Sequence, residues 1–180
     1  MATTPSVHTD ADLMRLPRDG RKYELVDGQV RVSAAGLRHE KIGVRLCSRL
    51  LDFVLAHRLG EVFGSSAGFR MPQGNVRSPD VSFVAAAKFP AGEVPEGFGE
   101  FAPDLAVEIR SPSDDERAVF DKVGEYLAAG TRLVWAIDPA CRCAVAYRSL
   151  TQTRQIAESD DLDGEDVVPG FRCRLGDILG

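Results

Sequence analysis

Two short stretches decide what this chain can fold into. They are Ser78-Pro79-Asp80-Val81-Ser82-Phe83-Val84 and Leu105-Ala106-Val107-Glu108-Ile109-Arg110-Ser111-Pro112-Ser113. Each reads as an apolar β-strand with a carboxylate set into it. A carboxylate inside a buried strand is costly unless something compensates its charge. Two of them brought together repel unless a cation lies between them or one keeps its proton. The pair therefore predicts a divalent-metal site built on a sheet.

The flanking pattern says what kind of sheet this is. Residues from about 9 to 16 read as a short helix capped by Thr9, with Leu13 and Leu16 on its apolar side. Tyr23 to Val26 and Gln29 to Val32 flank Asp27-Gly28, a hairpin signal for a type I′ turn. From Arg38 to Leu59 the residues Ile42, Leu46, Leu50, Phe53 and Val54 recur at helical spacing, and Gly60 is placed to end that helix in the left-handed region. Strands are expected at 61–63, 68–71, 80–84 and 105–109, with Gln73-Gly74-Asn75 as a turn. The Gly-, Pro- and Glu-rich span from Lys88 to Pro103 reads as a surface loop. Ser113 with Glu116 has the form of a capping box, and the helix it opens carries Val119, Phe120, Val123, Tyr126 and Leu127 and stops at Gly130. Leu133 to Ile137 shows little polar alternation and reads as a central strand, followed by another at 144–147. A strand and a short terminal helix are expected between Val167 and Gly180. The order is that of an α/β fold, a mixed sheet with helices packed on it.

At 180 residues the chain suits a single domain over 1–180, with 1–20 as an N-terminal arm or short helix. No apolar run reaches membrane-spanning length, and the first residues lack the basic and apolar regions of a secretory signal, so the expected location is the cytoplasm. The formal net charge of -5 argues against a protein that coats nucleic acid, but not against an enzyme with one basic face. The acidic run from Glu158 to Asp166 reads as a solvated loop. Cys47, Cys141, Cys143 and Cys173 form no Cys-x-x-Cys pair and read as reduced thiols used as small hydrophobes.

Asp104 and Glu108 share one strand but stand roughly 13 Å apart at ~3.3 Å per residue, too far to share an ion. Asp80 and Glu108 lie on different strands, and pairing of those strands would bring their carboxylates within ~5 Å. They are the preferred metal ligands, and Asp104 reads as a turn residue after proline. Magnesium, or manganese in its place, takes such oxygen ligands and keeps several waters. Two basic residues compete to assist it. Arg110 follows Glu108 by two and shares its face. Lys122 sits on the next helix beside the buried stripe, where pairing with Glu125 in solvent is the ordinary alternative. An ammonium can adjust its protonation where a guanidinium cannot. Arg38, Lys41, Arg45 and Arg49 form a basic row that could track a phosphate backbone, though a solvated helix face accounts for it more simply. His39 reads as a structural histidine.

At these residues the chain resembles the Uma family of restriction-endonuclease-like proteins, within the PD-(D/E)XK nuclease superfamily. The resemblance is carried by Tyr23-Glu24-Leu25-Val26-Asp27-Gly28, Gly68-Phe69-Arg70-Met71-Pro72, Arg77-Ser78-Pro79-Asp80, Val107 to Ser113, Lys122 with Glu125-Tyr126, and Ile137-Asp138-Pro139. It implies a restriction-endonuclease-like fold, a central mixed β-sheet flanked by α-helices. It implies a magnesium-dependent endonuclease that hydrolyses DNA, with Asp80 and Glu108 as catalytic metal carboxylates and Lys122 as the catalytic lysine. The superfamily's lysine normally follows the glutamate by two, and here Arg110 stands there, so Lys122 fits a lysine supplied from the next helix. Arg110, Arg38 and Lys41 are then candidates for contacting DNA, and a homodimer is expected. The alternative is a non-catalytic dimeric binding or regulatory domain that keeps the fold.

Overall fold

The computed structural model describes residues 9–17, 22–33, 36–89, 92–112 and 114–180. The first helix, α1 (Asp10–Met14), is capped as expected by Thr9, whose side chain accepts from the Asp12 N–H. Strands β1 (Lys22–Val26) and β2 (Gln29–Ser33) form the expected hairpin. Asp27 and Gly28 both take positive φ, 50° and 71°, as a type I′ turn requires. The long helix α2 (Leu37–His57) follows. Gly60 does not end it. Arg58 takes the left-handed conformation at φ 54°, and Gly60 instead begins β3 (Gly60–Gly64). A Cβ there would stand 2.0 Å from the Val84 carbonyl, so the glycine serves close strand approach rather than the helix end.

Two short strands, β4 (Phe69–Arg70) and β5 (Val76–Arg77), lead to β6 (Val81–Ala85) and β7 (Leu105–Ile109). Helix α3 (Glu116–Ala128) then carries the chain to β8 (Leu133–Asp138). The expected cap at Ser113 lies outside the described residues. The observed cap is Asp115, whose carboxylate accepts from the Arg117 N–H at 3.1 Å. The chain continues through β9 (Cys143–Tyr147), β10 (Thr153–Ala157), β11 (Asp161–Asp163), β12 (Arg172–Arg174) and α4 (Leu175–Leu179).

The main sheet has six strands in the order β10-β9-β8-β7-β6-β3. β7 and β8 are parallel because α3 returns the chain to the same end, and every other neighbouring pair is antiparallel. Side chains alternate across it. Val81, Phe83, Leu105, Val107, Ile109, Leu133 and Trp135 face α2 and α4, where Ile42, Leu46, Leu50, Val54, Ile178 and Leu179 close the larger core. Val84, Ala106 and Val134 face α3 through Val123 and Tyr126. A second sheet, β2-β1-β5-β4, packs Leu25 and Val76 against Leu13 of α1.

Three further features depart from expectation. β5 is only two residues long, too short to carry a strand pattern, yet it pairs with both β1 and β4. The acidic run is a solvated turn only in part, at Glu158, Asp160 and Asp166, which are exposed. Asp161 and Asp163 stand opposite Arg174 and Arg172 across β11–β12, while Leu162 and Cys173 point into the core. Glu158 and Glu165 are likewise taken, by Arg142 and Arg148. Cys141 and Cys143, expected as reduced thiols, are joined as a disulfide. The tight β8–β9 turn sets their Cα atoms 5.4 Å apart, inside the range a disulfide spans. Among the described residues no helix is long and apolar enough to cross a membrane.

Candidate active site

Asp80 stands at the mouth of β6, and its N–H donates to the Val107 carbonyl at 2.9 Å. Because Val81 pairs with Val107, this puts Asp80 beside Glu108 on the neighbouring strand. Glu108 lies on the side of β7 that faces α3, the side on which Ala106 is buried. Both carboxylates are almost fully enclosed, Asp80 at 7% and Glu108 at 4% exposure. Burial of that degree demands partners on every oxygen.

The partners come from four elements. Asp80 Oδ1 accepts from Lys22 Nζ of β1 at 2.9 Å. Its Oδ2 accepts from the Ile109 N–H at 2.8 Å and lies 3.0 Å from His39 Nε2, in the first turn of α2. Glu108 Oε2 accepts from Lys122 Nζ at 3.0 Å, and Oε1 accepts from the Tyr126 hydroxyl at 2.7 Å. Lys122 and Tyr126 are one turn apart on α3, so one helix face holds both oxygens. A further carboxylate, Glu24 of β1, accepts from the Ser78 N–H at 3.0 Å and lies 3.7 Å from both Lys122 and Arg77. Arg77 in turn grips Glu125 with Nε and a terminal nitrogen, at 2.7 and 2.5 Å.

These contacts push the two strand carboxylates in opposite directions. Burial would raise the Asp80 carboxyl, but the His39 hydrogen bond, the Lys22 charge and the Ile109 N–H outweigh it and hold it well below the usual carboxylate range. Glu108 is raised, chiefly by burial, with Asp80 adding repulsion and the lysines opposing only in part. Burial works against the Lys122 ammonium too, yet Glu108 and Glu24 together keep it above the usual lysine range. Lys122 therefore stays charged at neutral pH. Two neighbouring acids driven apart in this way are a recurrent mark of reactive sites.

Of the residues picked out from sequence, Asp80, Glu108 and Lys122 come together here. Lys122 does not pair with Glu125, which Arg77 occupies. Arg110 leaves the cluster and binds Asp138 at 2.8 Å and Glu116 at 3.0 Å. Arg38 donates to the Pro139 carbonyl at 2.8 Å. Lys41 and Arg45 lie against Gly180, and Arg49 pairs with Asp177. Much of the basic row of α2 thus sits against α4 rather than beside the carboxylates. Lys22, His39, Glu24, Arg77 and Tyr126 are members that sequence reasoning missed. Glu24 carried the available signal, a carboxylate inside an apolar strand, the same one that marked Asp80 and Glu108. His39 and Lys22 carried none, since each becomes meaningful only through a fold that brings it beside Asp80.

A family model described as Uma2, putative restriction endonuclease, matches residues 10–176. The chain belongs to the Uma2 family. A crystal structure of a putative nuclease belonging to DUF820, from Anabaena variabilis ATCC 29413, superposes with a TM-score of 0.83 at 20% identity, covering 95% of this chain and 97% of that one. At that identity the likeness speaks for the fold, which is the mixed central sheet between helices expected of a nuclease of this kind. No curated protein matches the chain. The cluster described above is therefore a candidate nuclease site on a Uma2 scaffold.

The His39–Asp80 contact has a direct consequence. The hydrogen bond to Asp80, its largest influence, raises the His39 imidazole above its ordinary 6.5. The pair therefore favours the folded protein fully below that ordinary value, and the contribution is lost as pH rises through the raised one. NMR titration of the metal-free protein will find the His39 ring titrating above 6.5, and Asp80→Asn will bring it down. A value at or below 6.5 in the wild type would show that the contact does not form.

Proposed function

We propose that this protein is a magnesium- or manganese-dependent endonuclease that hydrolyses phosphodiester bonds in DNA. The observation that carries the reading is the adjacent buried pair Asp80 and Glu108 with the Lys122 ammonium bonded to Glu108. Two carboxylates side by side are the hard oxygen donors magnesium takes, and magnesium commonly binds through one or two carboxylates with waters and substrate phosphate making up the rest. Among the described residues no group of three or more His, Cys, Asp or Glu side chains is disposed to hold an ion. An ion here would rest on Asp80 and Glu108, with waters and substrate phosphate completing its shell. A bound ion would supply an acidified water and neutralise charge on the phosphoryl oxygens.

The chain's own groups do the positioning. The Ile109 N–H and His39 fix Asp80, and the Tyr126 hydroxyl fixes the Glu108 oxygen that Lys122 leaves free. Lys122, held charged, donates to phosphate rather than taking a proton from water. That assigns it electrostatic stabilisation of the developing negative charge. Arg110, engaged by Asp138 and Glu116, has no part in this. Action on DNA is consistent with the cytoplasm as the place of work.

Plasmid cleavage with magnesium or manganese tests the assignment. Asp80→Ala is expected to abolish turnover, and Lys122→Ala to lower it by about 100-fold or more while DNA binding persists. Arg110→Ala should stay within about threefold. Equal turnover in wild type and Lys122→Ala would remove Lys122 from the mechanism. No turnover in the wild type with any divalent ion would favour the second reading, a non-catalytic dimeric binding or regulatory domain. The observation on its side is that Asp80 and Glu108 already have lysine partners, so the site holds its charge balance within the chain.

We also propose a homodimer, since two-fold pairing is the commonest closed assembly and duplex cleavage needs two sites or two visits. Exposed Leu37, Val44 and Leu55 are spaced by whole turns along α2 and offer an apolar stripe for a second copy. Light scattering should give twice the 19.5 kDa chain mass, falling to the single mass in Val44→Asp. A single-chain mass for the wild type at working concentration would contradict the proposal.

A further inference from the structure

Asp80 Oδ2 is engaged by two partners and Oδ1 by the Lys22 ammonium, so an ion that comes to the remaining lone pair of Oδ1 stands against a like charge unless that partner gives way. The three differ in their freedom to do so. The Ile109 N–H belongs to the backbone of β7, a central strand buried on both faces. His39 sits in the first turn of a 21-residue helix, with its side chain 13% exposed. Lys22 reaches Asp80 from the first residue of β1, on a four-carbon stem with several rotatable bonds, and its side chain is likewise only 13% exposed. The flexible partner is Lys22.

The second lysine is held differently. Lys122 bonds Glu108 at 3.0 Å and has Glu24 at 3.7 Å as another anion. If an ion draws on Glu108, Lys122 keeps a counter-charge where it stands. For Lys22, the ion pair within 4.0 Å among the described residues is the one with Asp80, while Glu108 and Glu24 act on its charge without forming such a pair. Two ammonium groups, each beside one strand carboxylate, therefore differ in what happens to them when a cation arrives.

We propose that Lys22 is the resident counter-cation of Asp80, competing with a divalent ion for that carboxylate and swinging out of the site when the ion binds, while Lys122 stays. The inference rests on the metal-dependent reading of the site and assigns Lys22 a positioning role within it. A site built this way keeps its carboxylates compensated in the absence of metal, which is what permits two of them to be buried side by side in a folded chain. It also sets a threshold on metal affinity, because each binding event must displace an internal ion pair.

Lysine acetylation read by mass spectrometry, with and without magnesium, tests the exchange in the wild-type chain. Labelling of Lys22 should rise at least about fivefold at saturating magnesium, with Lys122 changing little. Calorimetry with manganese should show Lys22→Met binding at least about tenfold more tightly than wild type. Lys22→Gln should do the same, and circular dichroism reports whether each variant is folded. Magnesium that binds without exposing Lys22, or that exposes Lys122 instead, overturns the proposal and leaves the metal site standing. Binding that is absent from the wild type but present in Lys22→Met supports competition in its strongest form. Absence from wild type and both folded variants alike overturns this proposal and the metal-dependent reading together.

Discussion

Two carboxylates buried side by side on a central sheet are the constraint on which the rest of this structure depends. Neither Asp80 nor Glu108 could remain charged at 7% and 4% exposure without cations and hydrogen-bond donors on every side. Meeting that demand recruits Lys22 from β1, His39 from α2, and Lys122 with Tyr126 from α3. The site is thus also a junction, where both helical layers and the second sheet are tied to the main one. Removing one member of such a network leaves another buried without its partner, an effect of about 3–5 kcal/mol for a buried charge. Substitutions here act on folding and function at once, which is why conservative variants with intact donors carry the most information.

The network extends one layer further and gains direction from it. Glu24 and Arg77 form a second carboxylate–cation pair behind the first, anchored by the Ser78 N–H and by the fork of Arg77 on Glu125. Asn75 Nδ2 donates to the same Glu125 carboxylate. β5, only two residues long, sets Arg77 in this layer and leads directly into Ser78. The outcome is that Lys122 lies between two carboxylates and stays charged, while Asp80 is held ionised and Glu108 is pushed the other way. An acid pair divided in this manner, with a fixed ammonium beside it, is suited to gathering positive charge around a phosphate.

Much of this was legible in the sequence because it follows from local rules. Asp27-Gly28 dictated its hairpin, Thr9 its cap, and the apolar spacing from Ile42 to Val54 the buried face of α2. The carboxylates inside apolar strands flagged Asp80 and Glu108 before any fold was known. What stayed hidden depends on contacts distant in sequence. Gly60 looked like a helix stop, but a strand carbonyl 2.0 Å from where its Cβ would be is visible only once β3 meets β6. The acidic run looked solvated because the arginines opposite it come from β12 and from other turns. His39 looked ordinary because its partner is 41 residues away. Lys122 and Arg110 could not be ranked by spacing, and it was Asp138, on the parallel neighbour of β7, that drew Arg110 aside.

The central claim is that Asp80 and Glu108 together form a divalent-ion site. A crystal of the protein soaked in manganese addresses it most directly, since the anomalous signal of the ion needs no activity to be seen. The account predicts one strong peak within about 2.0–2.3 Å of a carboxylate oxygen from each of these two residues, the reach of ordinary metal–oxygen bonds. A map with no peak between them at saturating manganese, or with the ion bound elsewhere on the chain, would contradict it.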